Sequence, residues 1–184
     1  NNLIDNSSDS LSMQTYIKRC ILAEGIDKIQ IATGYWDIPG MALVLSELTS
    51  FLERDGTSFE LLIGKDPFVY TSLLANPKYK DASYPHDFIR TDIHDLEIID
   101  KYKSVINLLL QYCGNGKMQI RIYSKNAKGE EEFLHSKCYI FSGPSFSYGI
   151  IGSSNFTRKG LSGNAELNYL ETDPTRITAR PTHG

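Results

Sequence analysis

The sequence predicts an α/β protein built on a mixed β-sheet, and three observations carry that reading. Residues 28–34 and 58–63 read as strands on either side of a helical stretch at 39–52, the β-α-β order of a right-handed crossover between parallel strands. A helical period then runs through Ile93, Leu96, Ile99, Tyr102, Val105, Ile106 and Leu109 and stops at Gly114-Asn115-Gly116. Beyond it lie short alternating runs with turn residues between them, two of which form a hairpin and so add antiparallel pairing.

The elements follow in order. Asp9 or Ser10 is expected to cap a first helix that reaches about residue 24, with Leu11, Tyr16, Ile17, Cys20 and Ile21 on its apolar side and Gly25 ending it. The strand at 28–34 turns Ile29, Ile31 and Thr33 to one side. The helix at 39–52 closes at Asp55-Gly56, ahead of the strand at 58–63. Residues 67–90 contain three prolines and no clear period, so a long loop with short helical turns is expected, and long loops inside compact domains are often functional. The helix at 91–112 leads to strands at 118–123, 133–141 and 147–151, the last two joined through Ser142-Gly143-Pro144-Ser145, and a final strand is expected at 165–171.

Bulk properties bound the function. The chain has 184 residues, enough for one domain with its own core. Its 41% hydrophobic content is ordinary, and no apolar run nears the roughly 20 residues that span a bilayer, so a soluble globular protein with no membrane partner is expected, and its cysteine usage points to a reducing cytoplasm. Three widely spaced cysteines, without CxxC or CxxH spacing, suggest neither a disulfide framework nor a zinc site. The net charge of −3 lacks a global basic signature, but from Lys117 onward nine Lys or Arg face six Asp or Glu, a local positive excess suited to a polyanion. Residues 1–171 are read as the domain and 172–184, with two prolines and no apolar period, as a linker to a further C-terminal region.

The candidate chemistry gathers in that positive part. His135 and Lys137 stand two apart on the expected strand, sharing a face with Tyr139, and Gly152-Ser153-Ser154-Asn155 adds small hydrogen-bonding groups after the next strand. A histidine can act as nucleophile or proton carrier, and a lysine holds charge near a phosphate. On the final strand Asn164, Glu166 and Asn168 form a polar face opposite Ala165, Leu167 and Tyr169. Two neighbouring strands with polar groups at their centres break the apolar pattern and suggest a site. Tyr35 and Trp36, just past the first strand, are candidates for stacking on a base. Lys65, Arg158 and Lys159 are candidates for flanking phosphates. His86, His94 and His183 read as structural or surface residues.

In order and spacing, Leu134-His135-Ser136-Lys137, then Gly152-Ser153-Ser154-Asn155-Phe156-Thr157, then Asn164-x-Glu166-x-Asn168 resembles the phospholipase D superfamily, whose signature is HxKxxxxD followed by GSxN. The run looks most like its bacterial nuclease branch, which includes restriction endonucleases and domains at the front of helicase-like proteins. One position departs: the signature aspartate falls at Ser142, as it also does not appear in many members of that branch. The resemblance implies a mixed sheet flanked by helices on both faces and a half-site carrying a single motif. It implies no metal and no cofactor. His135 would attack phosphorus, a second histidine would protonate the leaving oxygen, Lys137, Asn155 and Ser153 would stabilise the phosphoryl oxygens, and Glu166 would hold the far ring nitrogen of His135. Since one copy supplies one histidine, a homodimer with a shared site is implied, with DNA as substrate and a helicase or DNA-recognition domain as a partner region. Two other functions stand beside this: a dimeric nucleic-acid-binding module without activity, and a phospholipid phosphodiesterase or phosphatidyltransferase.

Overall fold

A computed structural model describes residues 2–64, 102–125, 127–130 and 132–177. The expected loop at 67–90, the first part of the expected helix at 91–112, and Lys65, His86, His94 and His183 lie outside the described residues. The strands are β1 (Leu3–Ile4), β2 (Lys28–Thr33), β3 (Ser58–Gly64), β4 (Met118–Tyr123), β5 (Cys138–Ser142), β6 (Ser147–Gly152) and β7 (Asn168–Glu171). The helices are α1 (Met13–Leu22), α2 (Ile38–Ala42), α3 (Leu45–Glu53), α4 (Lys103–Gly114) and α5 (Pro174–Ile177).

The strands form one mixed sheet in the order β1-β7-β6-β5-β2-β3-β4. β2, β3 and β4 run parallel, as the β-α-β order requires, whereas β5 is antiparallel to β2, and β6, β7 and β1 continue antiparallel. Strand alternation sorts the two faces. Ile31 stands opposite Leu61 on one side and Tyr139 on the other, Tyr139 opposite Ile150, and all four are buried. This face packs on α1 through Ile17 and Ile21, on α3 through Leu48, Phe51 and Leu52, and on α4 through Val105 and Leu109, all in one core. Gln30, Ala32, Glu60, Cys138 and Ile151 belong to the opposite face, where Ile177 of α5 sits over Gly149.

Three local details differ from expectation. Asp9–Leu11 is a 3-10 turn, and Ser12, not Asp9 or Ser10, caps α1 by accepting from Thr15 N. The single helix expected at 39–52 is two, α2 and α3, broken at Leu43 and Val44. The break lets α2 bring Gly40 against the Thr157 backbone, where a Cβ would lie 2.7 Å from Thr157 Cα. Finally, the turn after Asn155 winds into a π-helical stretch, Lys159–Gly163.

The Leu3–Asn6 segment stitches this C-terminal part to the front of the chain. β1 pairs with β7, and Asn6, at a φ of 58°, donates its amide to the carbonyls of Gly160 and Asn164 while accepting from Met13 N at 2.7 Å. Asparagine tolerates that left-handed backbone because its short side chain bonds locally.

Candidate active site

His135 does not stand on a strand. β5 begins three residues later at Cys138, so the strand expected at 133–141 is shorter at its start, and the segment before it instead crosses the carboxyl ends of β2 and β3. A Cβ on Gly64 would lie 2.5 Å from the Leu134 carbonyl oxygen, and one on Gly34 would lie 3.1 Å from it. Glycine at both strand ends is therefore what lets the chain pass and present His135, which is exposed. The neighbouring Phe133 ring sits 6.1 Å from the His135 ring and 5.5 Å from that of Tyr35.

Without ladder pairing, alternation does not govern residues 133–137, and the expected common face of His135, Lys137 and Tyr139 is not formed. His135 faces out while Lys137, 7% exposed, and Tyr139 are buried. The Lys137 ammonium donates to the His135 carbonyl at 2.6 Å, and the Lys137 carbonyl accepts from Gly152 N at 3.3 Å. Burial lowers the Lys137 pKa below the usual lysine range, and the negative charge of Glu166 offsets part of that effect.

The Gly152–Asn155 turn is held from inside. Tyr139 donates its hydroxyl to the Ser154 carbonyl at 2.8 Å. Asn168 accepts from Ser154 N at 3.1 Å and donates to the Ser154 hydroxyl at 2.8 Å. Burial, aided by Glu166, pushes the Tyr139 phenol well up, so it stays a donor. The expected polar face of Asn164, Glu166 and Asn168 is thus split: Asn168 turns inward while Leu167 and Tyr169 are exposed. The strand expected at 165–171 starts only at Asn168.

Asn155 is oriented by the end of β2. Its side-chain oxygen accepts from Tyr35 N at 3.1 Å and lies 3.4 Å from the Thr33 hydroxyl. That hydroxyl, fully buried, donates to the Tyr35 carbonyl at 2.7 Å and accepts from Phe156 N at 3.0 Å. With the oxygen side anchored, the amide NH2 of Asn155 makes no hydrogen bond to the described residues. A Cβ on Gly34 would meet Asn155 Oδ1 at 3.3 Å as well as the Leu134 carbonyl, so the histidine and asparagine segments converge over that glycine.

Glu166 lies just ahead of β7. Its carboxylate accepts from the Ser153 hydroxyl and, at 3.2 Å, from the Asn164 amide, while Leu167 N donates to Ser153 Oγ at 3.0 Å. The single Ser153 proton is therefore committed to Glu166. Both carboxylate oxygens are engaged by these neighbours, and Glu166 acts on Lys137 and Tyr139 through its charge. Sequence reading missed Thr33, Gly34, Gly64, Phe133 and the inward roles of Tyr139 and Asn168. A usable signal existed, since each of the first two parallel strands closes on a glycine.

Residues 16–180 match the family described as cardiolipin synthase, PLD-like domain. The chain belongs to this phospholipase D-like family. Among solved structures it is similar to NucT from Helicobacter pylori, with a TM-score of 0.51, 13% identity, and coverage of 95% of this chain and 86% of that one. It is similar also to a phospholipase D family member, Nuc from Salmonella typhimurium, at a TM-score of 0.53, 14% identity and coverage of 95% and 84%. Polyphosphate kinase from Porphyromonas gingivalis matches at a TM-score of 0.51 and 8% identity, over 95% of this chain but 24% of the kinase. No curated protein sequence matches. At such identities the shared feature is the fold, a mixed sheet with helices.

In this phospholipase D-like chain the remaining candidates divide. Trp36 is 7% exposed and bridges to Phe156, so it is part of the core and not available for stacking on a ligand. Tyr35, 42% exposed, is available. Arg158 and Lys159 are exposed, and Arg158 N is fixed at 3.0 Å by Asp37, which also caps α2 through Gly40 N. Among the described residues no cluster of three or more His, Cys, Asp or Glu is placed to hold a metal ion, and no helix is long and apolar enough to cross a membrane.

Proposed function

We propose that this chain is one half of a phosphodiesterase that cleaves DNA without a metal, through a phosphohistidine at His135. The observation that carries the reading is the convergence, over Gly34, of an exposed histidine with an asparagine held through its side-chain oxygen, next to a buried lysine. An imidazole nitrogen of His135 attacks phosphorus and the bond to the leaving oxygen breaks as a proton reaches it. Water then displaces the histidine and restores it. Lys137 and Asn155 balance the charge that builds on the non-bridging oxygens. Ser153, by its bond to Glu166, serves to fix the acid beside Lys137.

The proton for the leaving oxygen comes from His135 of a second copy. The sequence holds one copy of the His-x-Lys and Gly-Ser-x-Asn motifs, so a single copy supplies one motif histidine. A fitting contact surface lies next to the site: Leu3, Tyr169 and Ile151 stand opposite one another across β1, β7 and β6 and are 48%, 43% and 61% exposed. Leu167, 61% exposed and bonded to Ser153, extends the patch to the motif itself.

The test is nicking of supercoiled DNA in excess chelator, with trapping of a phosphohistidine. His135→Ala is expected to abolish both while leaving salt-sensitive binding in place. A second reading follows from the family's description, which names a lipid synthase. Release of a head group from phospholipid vesicles, with DNA left intact, would select it.

A further inference from the structure

Beside His135 the structure holds an aromatic arrangement that the phosphodiester chemistry does not use. Tyr35 and Phe133 pack at 5.5 Å with ring planes 50° apart, and Phe133 in turn meets the His135 ring at 6.1 Å and 45°. Phe133 is braced from beneath, because a Cβ on Gly64 would lie 3.0 Å from its ring and one on Gly34 would lie 3.5 Å from it. Tyr35 is tied to the other side of the site, since its backbone N–H is the group that orients Asn155. Tyr35 nevertheless stays 42% exposed, while the adjacent Trp36 is withdrawn into the core. An exposed tyrosine is thus fixed at both ends between the nucleophile and the group that holds the phosphoryl oxygens.

We infer that Tyr35, backed by Phe133, is a stacking ledge for the base of an unpaired nucleotide next to the scissile phosphate, so that the site selects single-stranded or locally opened nucleic acid. This deepens the nuclease reading and rests on it. The physical reason is that stacking needs an open base face. In a duplex both faces of each internal base are covered by neighbours, whereas an unpaired base presents one to any aromatic ring, whatever its sequence. Arg158 and Lys159, exposed three and four residues after Asn155, supply charge for the adjoining backbone.

The test compares three probes of equal length: oligothymidylate, the same phosphate backbone with abasic residues throughout, and a thymidylate–adenylate duplex. Binding is followed by fluorescence anisotropy and cleavage by gel, both on the wild-type protein. The ledge requires oligothymidylate to bind and to be cleaved better than the abasic strand by about 5- to 100-fold, the worth of one stacked base. Tyr35→Ala and Phe133→Ala should collapse that ratio toward one, and Tyr35→Phe should keep it. Equal handling of thymidylate and abasic strands, or a ratio unchanged in Tyr35→Ala, overturns the ledge and leaves the nuclease reading standing. A wild-type protein that cleaves none of the three overturns the nuclease reading instead, and the binding ratio still decides the ledge.

Discussion

Replacing Thr33 with valine removes one hydroxyl and almost no volume, and it separates the orientation of Asn155 from the packing around it. Thr33 is fully buried, accepts from Phe156 N at 3.0 Å and donates to the Tyr35 carbonyl at 2.7 Å. Valine leaves Phe156 N buried without an acceptor, a cost of about 1–3 kcal/mol. At about 2–4 °C per kcal/mol for a chain of this length, Tm should fall by roughly 2–12 °C. The larger effect is on catalysis. With Tyr35 no longer held by Thr33, the Asn155 amide loses its fixed direction, and kcat should fall at least about threefold. The ceiling is about 10²–10³-fold, the loss seen when a preorganised donor is removed outright. The assay is nicking kcat and KM well below the variant's Tm, with Thr33→Ser expected to restore both stability and rate. A Thr33→Val protein with lowered Tm but wild-type kcat, or a Thr33→Ser protein as slow as the valine variant, would refute the reasoning.

Gly64→Ala should place its methyl group against the Leu134 carbonyl and shift His135; with misplacements near 1 Å costing about 10²-fold, kcat should drop at least tenfold in a protein that keeps its far-UV circular dichroism. Lys137 gives a pH signature with two opposite signs. Its lowered pKa means it loses its charge below the usual lysine range of about 10.4, so activity should fall earlier in alkali than an ordinary lysine would dictate. Over the window between the folded and unfolded lysine pKa the unfolded state binds more protons, so stability should rise as activity falls, which pH-dependent denaturant titration would check. Lys137→Arg, charged throughout, should flatten the alkaline limb. Ile151→Glu should yield a folded monomer by sedimentation that no longer nicks DNA, and mixing it with a His135→Ala chain should not restore nicking, because a mixed dimer carries a single His135.

Much of the sheet was readable because it obeys alternation. The β-α-β order gave the parallel β2–β3 pair, and Ser142–Ser145 marked the β5–β6 hairpin correctly. The errors fall where chain geometry stops being periodic. Polar residues at the start of β5 and β7 were read as strand faces, but hydrogen-bonded ladders begin only at Cys138 and Asn168, so His135, Lys137 and Glu166 answer to other contacts. Asn168 and Thr33 look like residues that face a ligand. Each instead satisfies buried backbone groups of the turn that bears Asn155, a demand set by a segment over 120 residues from Thr33 and invisible locally. Trp36 shows the converse, since a sequence cannot tell which of two adjacent aromatics the core will take.

Asn6 holds Gly160 and Asn164 across sequence separations of 154 and 158 residues. Those bonds are among the costliest in loop closure and so belong to the late stage of folding. The rim of the site, which includes the approach to Glu166, therefore closes only once the first and last strands of the sheet have met. A chain that lacks Asn6 would carry His135 and Lys137 with the turn from Gly160 to Asn164 untied from the front of the molecule.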